Sequence, residues 1–253
     1  MGPIAQSVEQ RTFNPWVDSS ISVGLSNLSK YPYPVKRIVG ILPASGKANR
    51  IGGIPKFCLP VQPSLTLIQW HVNQMLEVCD EVRISTRSIW MPLLIEMKIE
   101  ATLIEIEPST MSDAVYRMSR ENEDLIIGMP DTYIYGASSN IYRELMALDA
   151  EIVLGVWDCA EFLKGKVGQV SIDEKTKRVI SSMDKSMACD YPLMWGIIRF
   201  NQDREILDRS LNHPGEQFQS LIDANCIIKG QKMTGKYFDL GNFSVLKELY
   251  SIL

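Results

Sequence analysis

From residue 35 to residue 157 the chain alternates short, β-rich apolar runs with segments whose apolar residues recur at helical spacing, and few architectures accommodate that pattern. Residues 35–43 (VKRIVGILP) are rich in β-branched residues and bounded by prolines, which predicts a buried first strand. Leu65, Ile68, Val72, Met75 and Leu76 follow at helical spacing, predicting a helix over 65–79. Further strands are expected at 81–85, 102–106, 124–129 and 151–157, with helices at 88–98, 111–120 and 140–148. Strand–helix–strand alternation predicts an α/β domain with a mostly parallel sheet and right-handed crossovers. The second half changes character. Residues 167–172 and 178–183 flank the turn Asp173-Glu174-Lys175 and read as a hairpin. Strands at 195–200, 226–229 and 236–240, two helical stretches around His213-Pro214-Gly215 and a closing helix over 243–253 complete the reading. Neither a repeat nor a linker divides 35–253, so one domain with a substrate-binding half is expected.

Composition narrows the partners. The 253 residues are 45% apolar, which suits one α/β domain with a substantial core. The formal net charge is −4 and no basic stripe is present, whereas binding a phosphate backbone needs a cationic face; a nucleic-acid partner is not expected. No apolar run reaches the roughly 18–20 residues of a bilayer span, so no membrane association is expected. The five cysteines are scattered singly without a CxxC pair, and only two histidines accompany them. That argues against a structural zinc site or a disulfide framework, and it fits a reducing, cytoplasmic setting.

Residues 1–34 are rich in Ser, Asn, Gln and Pro and lack periodicity. They also back-translate into tRNA landmarks. Ala5-Gln6-Ser7-Val8-Glu9-Gln10 can be written as GCT CAG TCG GTA GAG CAA, like a D-arm. Residues 11–15 can spell an anticodon loop, and 19–22 a TΨC loop. The expectation is a disordered or spurious N-terminal extension, with the folded domain confined to 35–253.

Three segments carry chemistry. The first strand runs into Pro43-Ala44-Ser45-Gly46-Lys47-Ala48-Asn49-Arg50, followed by Pro55-Lys56-Phe57-Cys58-Leu59-Pro60-Val61. Small residues let backbone N–H groups approach phosphate oxygens, and Arg50 and Lys56 supply positive charge. Asp131, in Met129-Pro130-Asp131-Thr132, follows a buried strand, where open α/β sheets bind ligands and where Mg²⁺ takes carboxylate oxygens. Asp239, in Tyr237-Phe238-Asp239-Leu240-Gly241-Asn242, precedes the last helix.

In this order the segments resemble the NDP-sugar pyrophosphorylases, a nucleotidyltransferase family that includes the glucose-1-phosphate thymidylyltransferases. Arg50 falls on the signature arginine and Lys56 on the Pro-Lys lysine, while Ala48 stands where the family has a second glycine and Asn49 where it often has Thr. The short Arg50–Lys56 gap also resembles cytidylyl- and molybdopterin-guanylyl-transferases. Asp131 and Asp239 match the family's metal-binding acids, with Asn242 in place of Thr. Ser182-Met183-Asp184-Lys185 resembles a Glu-Lys-Pro element, with Ser186 in place of Pro, and Lys185 is thereby implied at the sugar phosphate. Gly168 and Gly196 fall on glycines that the family keeps against the sugar. Residues 107–114 occupy the base-reading stretch without its usual Gln and Gly, and Asp113 there favours a helix N-terminus.

The resemblance spans residues 37–250. It implies a three-layer, mostly parallel, Rossmann-like α/β sheet with helices on both faces and a small antiparallel substrate-binding part. It implies transfer of a nucleoside monophosphate from a nucleoside triphosphate to a sugar 1-phosphate, with Mg²⁺ held by Asp131 and Asp239. Ala44, Ser45, Gly46, Lys47, Arg50 and Lys56 would hold the nucleotide, and Gly168, Lys185 and Gly196 the acceptor. A cytidylyl- or guanylyl-transferase with another phosphate acceptor, and a degenerate nucleotide-binding relative, stay open, as does a homo-oligomer. A glycosyltransferase would want Asp-x-Asp, which Asp131-Thr132-Tyr133 is not; a dehydrogenase would want a complete GxGxxG after the first strand.

Overall fold

A computed structural model describes residues 36–47, 52–201, 206–241 and 243–253. The N-terminal extension and the start of the domain at residue 35 lie outside the described residues. The elements begin with β1 (Arg37–Pro43), β2 (Pro60–Gln62), β3 (Leu65–Thr66), α1 (Leu67–Leu76), β4 (Glu81–Thr86), α2 (Met91–Glu96), β5 (Thr102–Glu105), α3 (Met111–Met118) and β6 (Glu123–Ile127). They continue with β7 (Thr132–Tyr135), α4 (Ile141–Leu145), β8 (Ile152–Asp158), β9 (Gly168–Ile172), β10 (Val179–Asp184), β11 (Leu193–Phe200), α5 (Phe218–Asp223), β12 (Ile228–Lys232), β13 (Lys236–Asp239) and α6 (Phe243–Tyr250).

β5, β4, β1 and β6 lie side by side and parallel, as the strand–helix alternation predicts. β11 pairs antiparallel with β6, β8 antiparallel with β11, and β12 parallel with β8. Alternating residues on the same strands divide between two cores. Leu42, Ile84, Ile126 and Val153 join residues of α1, α2, α4 and α6 in one core, whereas Ile41, Leu125, Ile127, Ile152 and Leu154 join residues of α3 and α5 in the other. Helices therefore cover both faces, giving the expected three layers.

β11 sets up the second half of the molecule. Only Ile198–Phe200 pair with β6; the strand begins beyond the C-terminal end of β6, where Leu193 and Met194 pair with β9. β9 and β10 form the predicted hairpin. β11 thus carries an antiparallel arm alongside the edge where β1, β4 and β6 end.

Local chemistry moved several boundaries. The helix expected from residue 65 starts at Leu67, because Leu65 and Thr66 pair with β2 and Thr66 forms a capping box with Gln69. The helix expected over 88–98 opens with a 3-10 turn at Ser88–Trp90. Of the two helical stretches around His213, only α5 is present among the described residues, entered through a 3-10 turn at Pro214–Gln217. Arg83, fully buried in β4, donates to both oxygens of Glu123 at 2.6 and 2.7 Å, to both oxygens of Glu81, and to the Met118 carbonyl, tying β4, β6 and the end of α3 together.

Candidate active site

The C-terminal edge of the parallel strands opens onto a cavity of about 500 Å³. After β1 it is lined by Ala44, Ser45, Gly46 and Lys47, after β4 by Arg87, after β5 by residues 108–111, and after β6 by Met129, Pro130 and Asp131. Ala44 and Ser45 are buried, and the Ala44 N–H donates to the Ser85 carbonyl, holding the loop root to β4; Gly46 and Lys47 are exposed. Arg50, with Ala48 and Asn49, lies outside the described residues, as does Asn242.

Lys56 opens a 3-10 turn, Lys56–Cys58, anchored by the buried Phe57 ring and closed by a bond from the Leu59 N–H to the Lys56 carbonyl. Its ammonium lies 2.7 Å from Asp131 Oδ2. A short ladder adds the second acid. β13 pairs antiparallel with β7, with Asp239 opposite Thr132, and the Leu240 N–H donates to the Asp131 carbonyl at 2.9 Å. A Cβ added at Gly241 would meet Asp239 Oδ1 at 2.8 Å and Lys56 Nζ at 3.4 Å. Three residues separated by up to 183 positions in sequence thus converge at one point, with Gly241 packed closely against Asp239. Two partly exposed carboxylates there suit Mg²⁺, which takes one or two carboxylates and draws its remaining ligands from water and phosphate.

The floor beneath is buried and neutral. His71 shares hydrogen bonds with Tyr142 Oη at 2.5 Å and with the Thr132 carbonyl at 2.8 Å, so Nε2–H donates to the carbonyl and Nδ1 accepts from the phenol. Burial lowers its pKa to about 4, against the opposing pull of the Thr132 carbonyl and the Asp131 charge. Tyr237 Oη bonds Thr132 Oγ1, and burial pushes the phenol well up.

Asp113 takes the helix-terminus role. Thr110 accepts from the Asp113 N–H, and the Asp113 carboxylate accepts from the Ser109 N–H, from Arg209 at 2.6 Å and pairs with Arg117 at 3.0 Å. Burial alone would raise this carboxyl; the Ser109 N–H and the two guanidinium groups hold it below its ordinary value.

Arg87 is a cavity cation that the motif reading missed. Its Nε donates to the Ser45 carbonyl at 2.8 Å and its Nη1 lies 3.3 Å from Glu107. A lone arginine after a strand carries no motif; its place at the C-terminal edge of a parallel sheet was the available signal.

The arm holds the remaining predicted residues. Gly168, on β9, is buried, and a Cβ there would lie 2.0 Å from Trp195 Nε1. Gly196 sits at the register shift of β11, where a Cβ would meet the Tyr237 ring at 2.4 Å. Both glycines pack against aromatic rings, Gly168 against Trp195 of β11 and Gly196 against Tyr237 of β13 and Trp157 of β8. Lys185 follows β10, exposed, with φ 46° and its N–H bonded to the Val167 carbonyl. None of these three lines the cavity.

No protein-family model matches the chain, and no curated protein does either. Solved structures do. A UDP-glucose pyrophosphorylase complexed with UDP-glucose superposes with a TM-score of 0.71 at 14% identity, covering 85% of this chain and 98% of that one. A UTP-bound UGPase from Acinetobacter baumannii gives 0.66 at 16% identity, covering 85% and 93%. The inositol-1-phosphate CTP transferase from T. maritima gives 0.63 at 14% identity, covering 86% and 96%. The chain therefore shares the fold of these solved structures, a mostly parallel sheet covered by helices with small antiparallel sheets beside it.

Proposed function

We propose that this protein transfers a nucleoside monophosphate from a nucleoside triphosphate to a sugar 1-phosphate, releasing pyrophosphate and forming an NDP-sugar. The observation that carries the reading is the convergence of Lys56, Asp131 and Asp239 at the mouth of a cavity built from the C-terminal ends of β1, β4 and β6. The fold supports it, since the structures it matches include one complexed with UDP-glucose, one bound to UTP and an inositol-1-phosphate CTP transferase.

In this reading an acceptor phosphate oxygen forms a bond to the α-phosphorus while the bond to the β-phosphate breaks, and pyrophosphate leaves in line. The attacking oxygen is already ionised at neutral pH, so no general base is required. That suits a site whose adjoining histidine, His71, is buried, neutral and committed to Tyr142 and Thr132. Backbone groups of residues 44–47, with Lys47, Arg50, Lys56 and Arg87, would bind and orient the triphosphate by charge and hydrogen bonding. Asp131 and Asp239 would hold Mg²⁺, whose contribution is to neutralise charge on the phosphates. The β9–β10–β11 arm, with Gly168, Lys185 and Gly196, would receive the acceptor.

Incubation with Mg²⁺, each common nucleoside triphosphate and a panel of sugar 1-phosphates tests this through pyrophosphate release. Release dependent on one triphosphate and one sugar phosphate supports the reading. Release only with a phosphorylated acceptor other than a sugar moves the protein to the cytidylyl- or guanylyl-transferase alternative. Triphosphate binding without release for any pair identifies a non-catalytic relative.

A further inference from the structure

We propose a transition-metal site, distinct from Asp131 and Asp239, formed by Asp184, His213 and Glu216. Asp184 ends β10, while His213 precedes, and Glu216 lies within, the 3-10 turn Pro214–Gln217 that leads into α5. One ligand atom from each lies within 4.8 Å of the others. His213 Nε2 is 2.9 Å from Asp184 Oδ2 and 3.8 Å from Glu216 Oε1.

The polar accounting separates this cluster from an ordinary ion-pair group. The His213 side chain is 10% exposed, yet neither ring nitrogen has a hydrogen-bond partner among the described residues. Nε2 contacts Asp184 Oδ2 without forming a hydrogen bond, and Asp184 Oδ1 is also buried without one. Orphaned buried polar atoms are rare and call for an occupant, because an unmet donor or acceptor away from water is costly. Glu216 is oriented from behind: Asn212 donates its backbone N–H to Oε2 and its side-chain amide to Oε1, both at 2.9 Å, leaving a lone pair on each oxygen for a cation.

An imidazole with two carboxylates is a borderline ligand set, suited to Zn²⁺ or Mn²⁺ and poorly suited to a soft metal. Ligands on one tetrahedral Zn²⁺ stand roughly 3.3 Å apart, so closing the cluster needs about an ångström of side-chain rotation. No cysteine takes part, which is why the scattered thiols and missing CxxC pair did not reveal the site. The three ligands are far apart in sequence except for one i,i+3 pair, and no motif spacing marks them. Occupied, the site would fasten the end of β10, next to Lys185, to the turn before α5.

The test uses the full chain freed of metal by chelator dialysis and titrated with Zn²⁺ alone by calorimetry, and with Co²⁺ by absorption. The expected result is one Zn²⁺ per chain, a Co²⁺ spectrum without a sulfur charge-transfer band, and a higher melting temperature with metal. His213→Gln and Asp184→Asn should each weaken binding by at least about 10-fold, with unchanged circular dichroism spectra. Asp184 is the safer of the two variants, and it decides the matter alone should His213→Gln fail to fold. Asp131→Asn and Asp239→Asn should bind Zn²⁺ as the parent does, so failure of the proposed reaction leaves this readout untouched. Absence of saturable Zn²⁺ binding, or binding that Asp184→Asn leaves unchanged, overturns the proposal.

Discussion

Asp131→Asn separates what the Lys56–Asp131 pair does for the fold from what it does for the reaction. The two side chains are 2.7 Å apart, with Lys56 12% exposed and Asp131 36% exposed. Breaking a fully buried pair costs about 3–5 kcal/mol, because one charge is left stranded, whereas exposed pairs contribute about 0–1 kcal/mol. Asp131 is more than a third exposed, and Asn keeps one oxygen that can accept from Lys56, so the cost falls near the lower limit, about 1 kcal/mol. In a chain of this length that lowers the melting temperature by about 2–4 °C. On the proposed function, with Asp131 as a metal ligand, the catalytic cost is much larger. Loss of a metal-binding carboxylate removes charge stabilisation made in the transition state, and turnover should fall by about 10²-fold or more, equivalent to about 2.7 kcal/mol. Thermal denaturation and pyrophosphate release on the same preparation test both halves. Near-normal turnover would refute the metal assignment. A loss of well over 10 °C would refute the view that the pair belongs to a solvent-facing site.

His71→Gln should remove a pH dependence of stability. Burial sets the His71 pKa at about 4 in the fold against the ordinary 6.5, so between those values the unfolded chain binds a proton that the folded chain refuses. Its contribution, about 3 kcal/mol, is fully present above pH 6.5 and is lost as pH falls towards 4; urea unfolding at pH 7.5 and 4.5 should show a smaller difference in the variant than in the parent. Gly168→Ala places a methyl 2.0 Å from Trp195 Nε1 and should destabilise by about 1–3 kcal/mol, with a change in tryptophan emission; an unaltered denaturation midpoint would mean that the arm relaxes freely. Arg87→Lys keeps the charge and loses the bond to the Ser45 carbonyl, so the triphosphate KM should rise about 10-fold with the acceptor KM unchanged; equal effects on both substrates would argue against a role confined to the nucleotide side.

What could be read in the sequence was local. The loop after β1, Lys56 and Asp131 follow strands or turns whose composition announces them, and the alternation of strand and helix predicted the parallel half of the sheet. The long-range features were hidden. β7 is four residues directly after the Pro130-Asp131 turn, too short to register, yet its ladder with β13 brings Asp239 to Asp131. Arg83 stands in a strand whose pattern says buried, and its acids lie at Glu81 and Glu123, the latter 40 residues away. Arg87 is defined by the carbonyl of Ser45, 42 residues earlier. The aromatic rings beside Gly168 and Gly196, Trp195 for the first and Trp157 and Tyr237 for the second, come from other strands and leave no mark in the local sequence.

The central claim is that Lys56, Asp131 and Asp239 form the centre of a nucleotidyl-transfer site. The most direct measurement is transfer of label from an α-³²P nucleoside triphosphate to a sugar 1-phosphate in the presence of Mg²⁺, comparing the parent protein with Asp239→Asn. The account predicts label in an NDP-sugar, with equimolar pyrophosphate, and a loss of about 10²-fold or more in the variant. Label transfer that Asp239→Asn leaves intact would contradict it.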